Sequence, residues 1–165
     1  MLHLNNNTSC SIFSNKKFIN IKTRSGWGIF IDDPKGLDVY LAPDIDETEL
    51  GSNVLAALQK SRLVRPSEDP SLFNSAEVQA RYIAWIEKML QEYQYKSKIA
   101  LFKGMLNCGV SIVQNEVVIK PMKRERGDGF GSTLRAEKDY VLLPLSSKVN
   151  DIGAGVRLAL SRCSG

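Results

Sequence analysis

The two ends of this 165-residue chain echo each other. Near the start stand Asp38-Val39-Tyr40-Leu41-Ala42-Pro43, followed by Leu50-Gly51, Val54 and Ala57-Leu58. Near the end stand Asp139-Tyr140-Val141-Leu142-Leu143-Pro144, followed by Ile152-Gly153, Val156 and Ala159-Leu160. The spacings agree apart from a one-residue slip between proline and glycine. Upstream, Gly26-Trp27-Gly28 and Gly127-Asp128-Gly129 are separated as the two prolines are. Each end therefore reads as a strand meander, a proline stop and a short amphipathic helix. A glycine just inside a helix costs about 1 kcal/mol against alanine unless a close contact requires it, so its recurrence points to close backbone packing in both halves. If the echo is a duplication rather than coincidence, it predicts one pseudo-symmetric α/β domain of the α+β type. Helices would pack on a largely antiparallel sheet, with a long central helix joining the two units.

Local signals place the elements. Lys17–Lys22, Trp27–Ile31 and Leu37–Leu41 read as three strands of an antiparallel meander, broken at Ser25-Gly26 and at the turn Asp32-Asp33-Pro34-Lys35-Gly36. Asp46 with Glu49 has the spacing of a helix capping box, and Leu50, Val54, Ala57, Leu58 and Ser61 then share a face. Arg62 would sit near that helix's C-terminal end, where a cation suits the dipole. Pro66 and Pro70 mark a loop. Asn74 and Glu77 open the clearest helix, which carries Val78, Tyr82, Trp85, Ile86, Met89 and Tyr93 as an inward stripe and reaches Tyr95. Ile99–Leu106 fits either a helical turn or a strand. Cys108–Val113 and Val117–Ile119 form a hairpin, Pro121–Gly131 a polar connection, and Tyr140–Leu143 a strand. A last helix runs over Val149–Ser161.

A hydrophobic fraction of 43% supports one real core, so residues 1–165 are expected to form a single domain. The asparagine-rich start suggests a loosely ordered segment over 1–14. No apolar run resembles a secretory leader or a membrane span, and Cys10, Cys108 and Cys163 are too widely spaced for a disulfide framework. A cytoplasmic protein with reduced cysteines is the expectation. The net charge of +4 is unevenly spread: Asp32–Glu49 is acidic and Lys120–Lys138 is basic. Segments of opposite sign can orient a charged partner.

No constellation for bond-making chemistry emerges. His3 is the only histidine and falls in the loose N-terminal segment, so a Ser/His or Cys/His nucleophile pair has no credible base. The three cysteines do not have zinc-ligand spacing. Asp44, Asp46 and Glu47 lack a calcium-loop pattern and fit a helix-capping role. Gly127-Asp128-Gly129-Phe130-Gly131 matches neither phosphate-binding glycine motif. Hence no catalytic residue, cofactor or metal is expected. The competing reading is a nucleic-acid or other macromolecule-binding module using the basic stretch 120–126, with Phe130 or Trp27 stacking on a base. The acidic segment and the absence of a recognition motif argue against it.

Several blocks together resemble the immunity proteins of bacterial contact-dependent growth inhibition. They are Gly26-Trp27-Gly28-Ile29-Phe30 with Asp33-Pro34, Leu41-Ala42-Pro43 through Ala57-Leu58, Gly104 through Val110 with Lys120-Pro121-Met122-Lys123, and the closing Ile152–Cys163. The resemblance implies an antitoxin that binds the C-terminal toxin domain of a large secreted effector, a nuclease, as a monomer forming a 1:1 complex. It also implies strand addition, in which a toxin hairpin enters a pocket and extends the sheet. Neither nucleic acid nor membrane would be a direct partner. Inhibitors of nucleases are often acidic, whereas this chain is basic, so pocket and strand contacts should dominate over charge mimicry. Exposure and chemistry select Phe30, Asp32, Asp33, Met122, Lys123, Arg124, Asp128 and Phe130 as candidate toxin-binding residues.

Overall fold

In the computed structural model, residues 6–125, 127–132 and 136–163 are described. Their strands are β1 (Ser9–Ser14), β2 (Ile19–Trp27), β3 (Ile29–Asp32), β4 (Asp38–Leu41), β5 (Leu106–Val113), β6 (Glu116–Arg124), β7 (Phe130–Ser132) and β8 (Val141–Pro144). All pair antiparallel in one sheet of order β3-β2-β1-β5-β6-β7, with β4 also on β2 and β8 also on β6. The helices are α1 (Glu47–Gln59), α2 (Pro70–Phe73), α3 (Ser75–Glu92), α4 (Lys98–Phe102), α5 (Ala136–Asp139) and α6 (Val149–Ser161).

The expected α+β architecture is present, and its two halves correspond strand for strand. Across the central seam Cys10 faces Val110 and Ile12 faces Cys108. On one side Ile19 and Ile21 face Leu41 and Val39; on the other Val117 and Ile119 face Leu143 and Val141. In this register Val39 corresponds to Val141 just as Gly51 corresponds to Gly153. The two prolines that align in sequence therefore stand one position apart in the fold.

Period-two alternation along the strands sends side chains to two faces. Cys10, Ile12, Ile19, Ile21, Cys108, Val110, Ile112, Val117 and Ile119 meet α1 and α6 in one core cluster. On the opposite face Phe13 and Phe18 meet Trp85, Ile86 and Met89 of α3, with Leu101 and Phe102 of α4 and Met105 beyond it. The caps read from sequence form: Asp46 Oδ1 accepts the Glu49 N–H at 2.8 Å, and Asn74 Oδ1 accepts the Glu77 N–H at 3.0 Å. Of the α3 stripe, Trp85, Ile86 and Met89 are buried, while Val78, Tyr82 and Tyr93 are half-buried. The hairpin turn at Gln114-Asn115 has both residues at positive φ, 49° and 63°, the geometry that matches strand twist.

Several expectations are corrected. The segment taken as loose to residue 14 contains β1, which lies between β2 and β5, with Cys10 and Ile12 fully buried. Its alternating Ser9 and Ser11 face an open polar cleft, and that polarity disguises a central strand. β2 continues through Ser25-Gly26, because Gly26 exchanges hydrogen bonds with Arg62 and Val64. β3 and β4 are not successive strands of a meander. Both run along the same edge of β2, with Asp33–Leu37 looping out between them.

Pro121–Gly131 is not merely a connection, since β6 extends to Arg124 and β7 starts at Phe130. Pro121 fits inside β6 because it falls between the stretch paired with β8 and the stretch paired with β7, where no donor is required. Ile99–Leu106 divides into α4 and the start of β5, and α3 ends at Glu92, short of Tyr95. The loop between Pro66 and Asn74 includes the short α2. α1 ends at Gln59, so Arg62 lies beyond it and serves two carboxylates instead.

Candidate functional site

Two clefts open on the face of the sheet that carries α3. The first, of about 500 Å³, lies between α3 and the edge formed by β3 and β4. Alternation along β2 points Ile19, Ile21 and Thr23 toward α1, so Asn20 and Lys22 point toward the α3 face, and Lys22 lines this space. Trp85 and Lys88 from α3 close the other side, with Asp32, Asp38 and Tyr40 along the edge. Among the described residues no strand pairs with the outer side of β3 or β4.

Lys22 dominates the electrostatics there. Its side chain is only 12% exposed, and Nζ sits 4.0 Å from the Trp85 ring centroid and 6.0 Å from that of Phe13. Asp32 Oδ2 is 3.8 Å away, and Asp32 is shared with Arg24, also at 3.8 Å. Burial pulls the Lys22 ammonium below the usual lysine range, while Asp32 and Asp38 oppose that shift. Beside it Lys88 Nζ lies 4.6 Å from the Tyr40 ring centroid. Burial, then the Asp38 carboxylate, raises the Tyr40 hydroxyl above its ordinary pKa. Asn20 donates to Asp38 Oδ1 at 2.8 Å and to the Val39 carbonyl at 3.0 Å, while its own Oδ1 is buried without a partner among the described residues.

Asp33 fixes the shape of the edge. Its carboxylate accepts from Arg62 at 2.8 and 3.0 Å and from Ser25 Oγ at 2.6 Å. Burial alone would raise this carboxyl, yet the hydrogen bonds from Arg62, Ser25 and the Lys35 N–H hold it below the usual range. Arg62 also reaches Asp69 at 3.1 Å and so ties the segment after α1 to the β3–β4 loop.

The second cleft, of about 380 Å³, is floored by small polar residues of the two central strands, among them Ser9, Ser11 and Gly109. Among the described residues, Arg24 and Lys120 are the charged side chains lining it. The β2–β3 hairpin ends in an apolar tip that Leu63 joins through its bridge to Gly26: Trp27, Ile29 and Leu63 are 55%, 75% and 45% exposed, and Arg65 stacks 4.6 Å from the Trp27 ring centroid.

The sequence-selected residues fall into separate places. Asp32 and Asp33 line the first cleft, Asp32 at its exposed rim and Asp33 buried in the ion pair with Arg62. Phe30 and Met122 line the second. Asp128 accepts from the Tyr82 hydroxyl and from Lys98 at 2.9 Å, and these two hold its carboxyl below the ordinary value. Phe130 packs edge-on to Phe13 with ring centroids 5.8 Å apart, and Arg124 donates to the Phe102 carbonyl. These three therefore fasten the β6–β7 end to α3 and α4. Lys123, on β6, is half-buried. Of the basic stretch 120–126, Lys120 lies 5.3 Å from the Tyr140 ring centroid, and Arg126 is outside the described residues. Sequence reasoning missed Lys22, Tyr40 and Lys88. The one available signal was Lys22's place in a strand, two residues from an inward isoleucine's neighbour, where a surface charge was the simpler reading.

An unpaired strand edge beside a half-enclosed cleft is the geometry by which a sheet protein receives an extended segment of another protein. The chain belongs to the family of CDI immunity proteins, contact-dependent growth inhibition being the system named: the family profile matches residues 8–163. It is 35% identical over 167 residues to the immunity protein CdiI-YPIII of Yersinia pseudotuberculosis serotype O:3 (strain YPIII), covering 94% of each chain. Among solved structures it is similar to a CdiA-CT/CdiI toxin and immunity complex from Yersinia pseudotuberculosis, with TM-score 0.89 and 32% identity over 98% of this chain and 99% of that one. A protein of unknown function from Neisseria meningitidis matches with TM-score 0.89 and 28% identity, covering 99% of each.

Proposed function

We propose that this protein is an antitoxin that binds and neutralises the toxin domain of its cognate growth-inhibition effector. It works in the cytoplasm as one copy per toxin, by occupying the toxin rather than by any reaction of its own. The supporting observation is the pairing of an open β3–β4 edge with the first cleft. A toxin strand added to that edge would gain backbone hydrogen bonds while its alternate side chains entered the cleft, so affinity and selectivity come from the same contact. The toxin is read as a nuclease on the family resemblance.

Co-expression with the cognate toxin domain tests the function: growth returns and cellular nucleic acid stays intact, while a non-cognate toxin still kills. Failure to rescue overturns the antitoxin reading. Hydrogen exchange of the complex tests the mode. Amides of β3 and β4 should slow on binding while those of β8 do not; protection confined to β8 would move the contact to the other end of the sheet.

A further inference from the structure

We infer that the first cleft is an acceptor pocket for one side-chain carboxylate of the toxin, with the Lys22 ammonium as its anchor. The inference rests on the toxin-binding reading above and names the chemistry of that contact.

A lysine ammonium carries three N–H donors, and that of Lys22 lines the cleft with Asp32 as its ion-pair partner. Its ion-pair partner Asp32 stands 3.8 Å away, beyond hydrogen-bonding distance, is half-exposed and is shared with Arg24. The other neighbour of Lys22 is the Trp85 face at 4.0 Å, which attracts a cation without taking up its directed N–H groups. With only 12% of the Lys22 side chain exposed, a charge-assisted hydrogen bond to its ammonium is stronger than the same bond in open water, so an incoming acceptor gains affinity there. The cleft is open to admit one.

The surroundings select the ligand. Asp32 and Asp38 lie on the edge side, Arg81 and Lys88 on the helix side, and Asp33 is already paired with Arg62, so with Lys22 the lining cations exceed the remaining carboxylates by one and suit a singly charged anion over a doubly charged phosphate. The rings of Tyr40, Tyr82 and Trp85 line the approach and suit an aliphatic stem. A segment paired to the adjoining edge presents every second side chain to one face, so an Asp or Glu at one of those positions faces the same cleft as Lys22.

The test is a double-mutant cycle between the full chain and its cognate toxin domain, read as Kd by calorimetry. Lys22→Met keeps the stem over Trp85 and removes the charge. It should weaken binding roughly tenfold or more while leaving the thermal midpoint unchanged or raised. Lys22→Gln serves as the second variant should the methionine disturb the fold. On the toxin, each Asp and Glu is changed to its amide, and the terminal carboxylate is amidated. One side-chain amide should lose similar affinity against the wild-type chain and almost none further against Lys22→Met.

If both Lys22 variants bind within twofold of wild type, or no toxin side-chain carboxylate couples to Lys22, the inference falls. Coupling to the terminal carboxylate would also overturn it. A wild-type chain that does not bind the toxin at all overturns the antitoxin reading itself, a different result from wild-type binding that is indifferent to Lys22.

Discussion

Gly51 and Gly153 sit where α1 and α6 cross, and each is pressed against the other helix. A Cβ on Gly51 would stand 1.9 Å from the Val149 carbonyl oxygen, and one on Gly153 would stand 1.9 Å from the Glu47 carbonyl oxygen. Each glycine thus meets the carbonyl four residues before the other, a reciprocal contact that the local two-fold relation of the halves requires. The repeated glycine of the sequence echo is explained by this crossing.

Gly51→Ala and Gly153→Ala should each destabilise the protein by about 2–3 kcal/mol, the scale of overpacking in a close-packed interior, even though alanine is the better helix former. Gly109→Ala is the contrast, because a Cβ there meets nothing within 4 Å. Urea unfolding of the three variants measures this. Equal midpoints for Gly51→Ala and Gly109→Ala would contradict the crossing.

The ion pair of buried Asp33 with half-buried Arg62 links acid stability to the shape of the first cleft. Breaking it with Asp33→Asn should cost about 3 kcal/mol at neutral pH, as expected when one partner of a buried ion pair is removed. The folded-state pKa of Asp33 is depressed, so its contribution is present above the unfolded carboxylate value of about 4 and is lost as pH falls through the lower folded value. Wild type and Asp33→Asn should therefore converge in stability on acidification. Thermal midpoints measured from pH 7 down to pH 3 check the sign, and a gap that widens toward low pH would reverse it.

The exposed tip of Trp27, Ile29 and Leu63 adjoins the β3 edge. Tryptophan and arginine dominate the energetics of many protein interfaces, and here Arg65 lies over Trp27. Trp27→Ala should weaken toxin binding about tenfold while shifting the thermal midpoint little, since the ring is more than half exposed. Calorimetry of binding beside a melting curve separates the two effects. A large loss of stability with unchanged affinity would make the tip structural.

Elements that depend on local chemistry follow from residue order alone. Asp46 and Asn74 cap helices because their side-chain oxygens reach backbone N–H groups three residues on, and the stripe containing Trp85, Ile86 and Met89 turns inward because it recurs at helical spacing. The echo between the halves, and with it the α+β architecture, was legible for the same reason: both copies kept their apolar period. Tertiary structure alone decided the rest. β1 reads as polar because its serines face a cleft while pairing on both sides buries its backbone, and no property of residues 1–14 discloses those neighbours. Arg62 follows a helix yet belongs to Asp33, 29 residues away in sequence. Lys22 lies under Trp85 only because α3 returns across the sheet. Contacts between distant segments depend on how packed layers meet, and residue order along one strand does not encode that meeting.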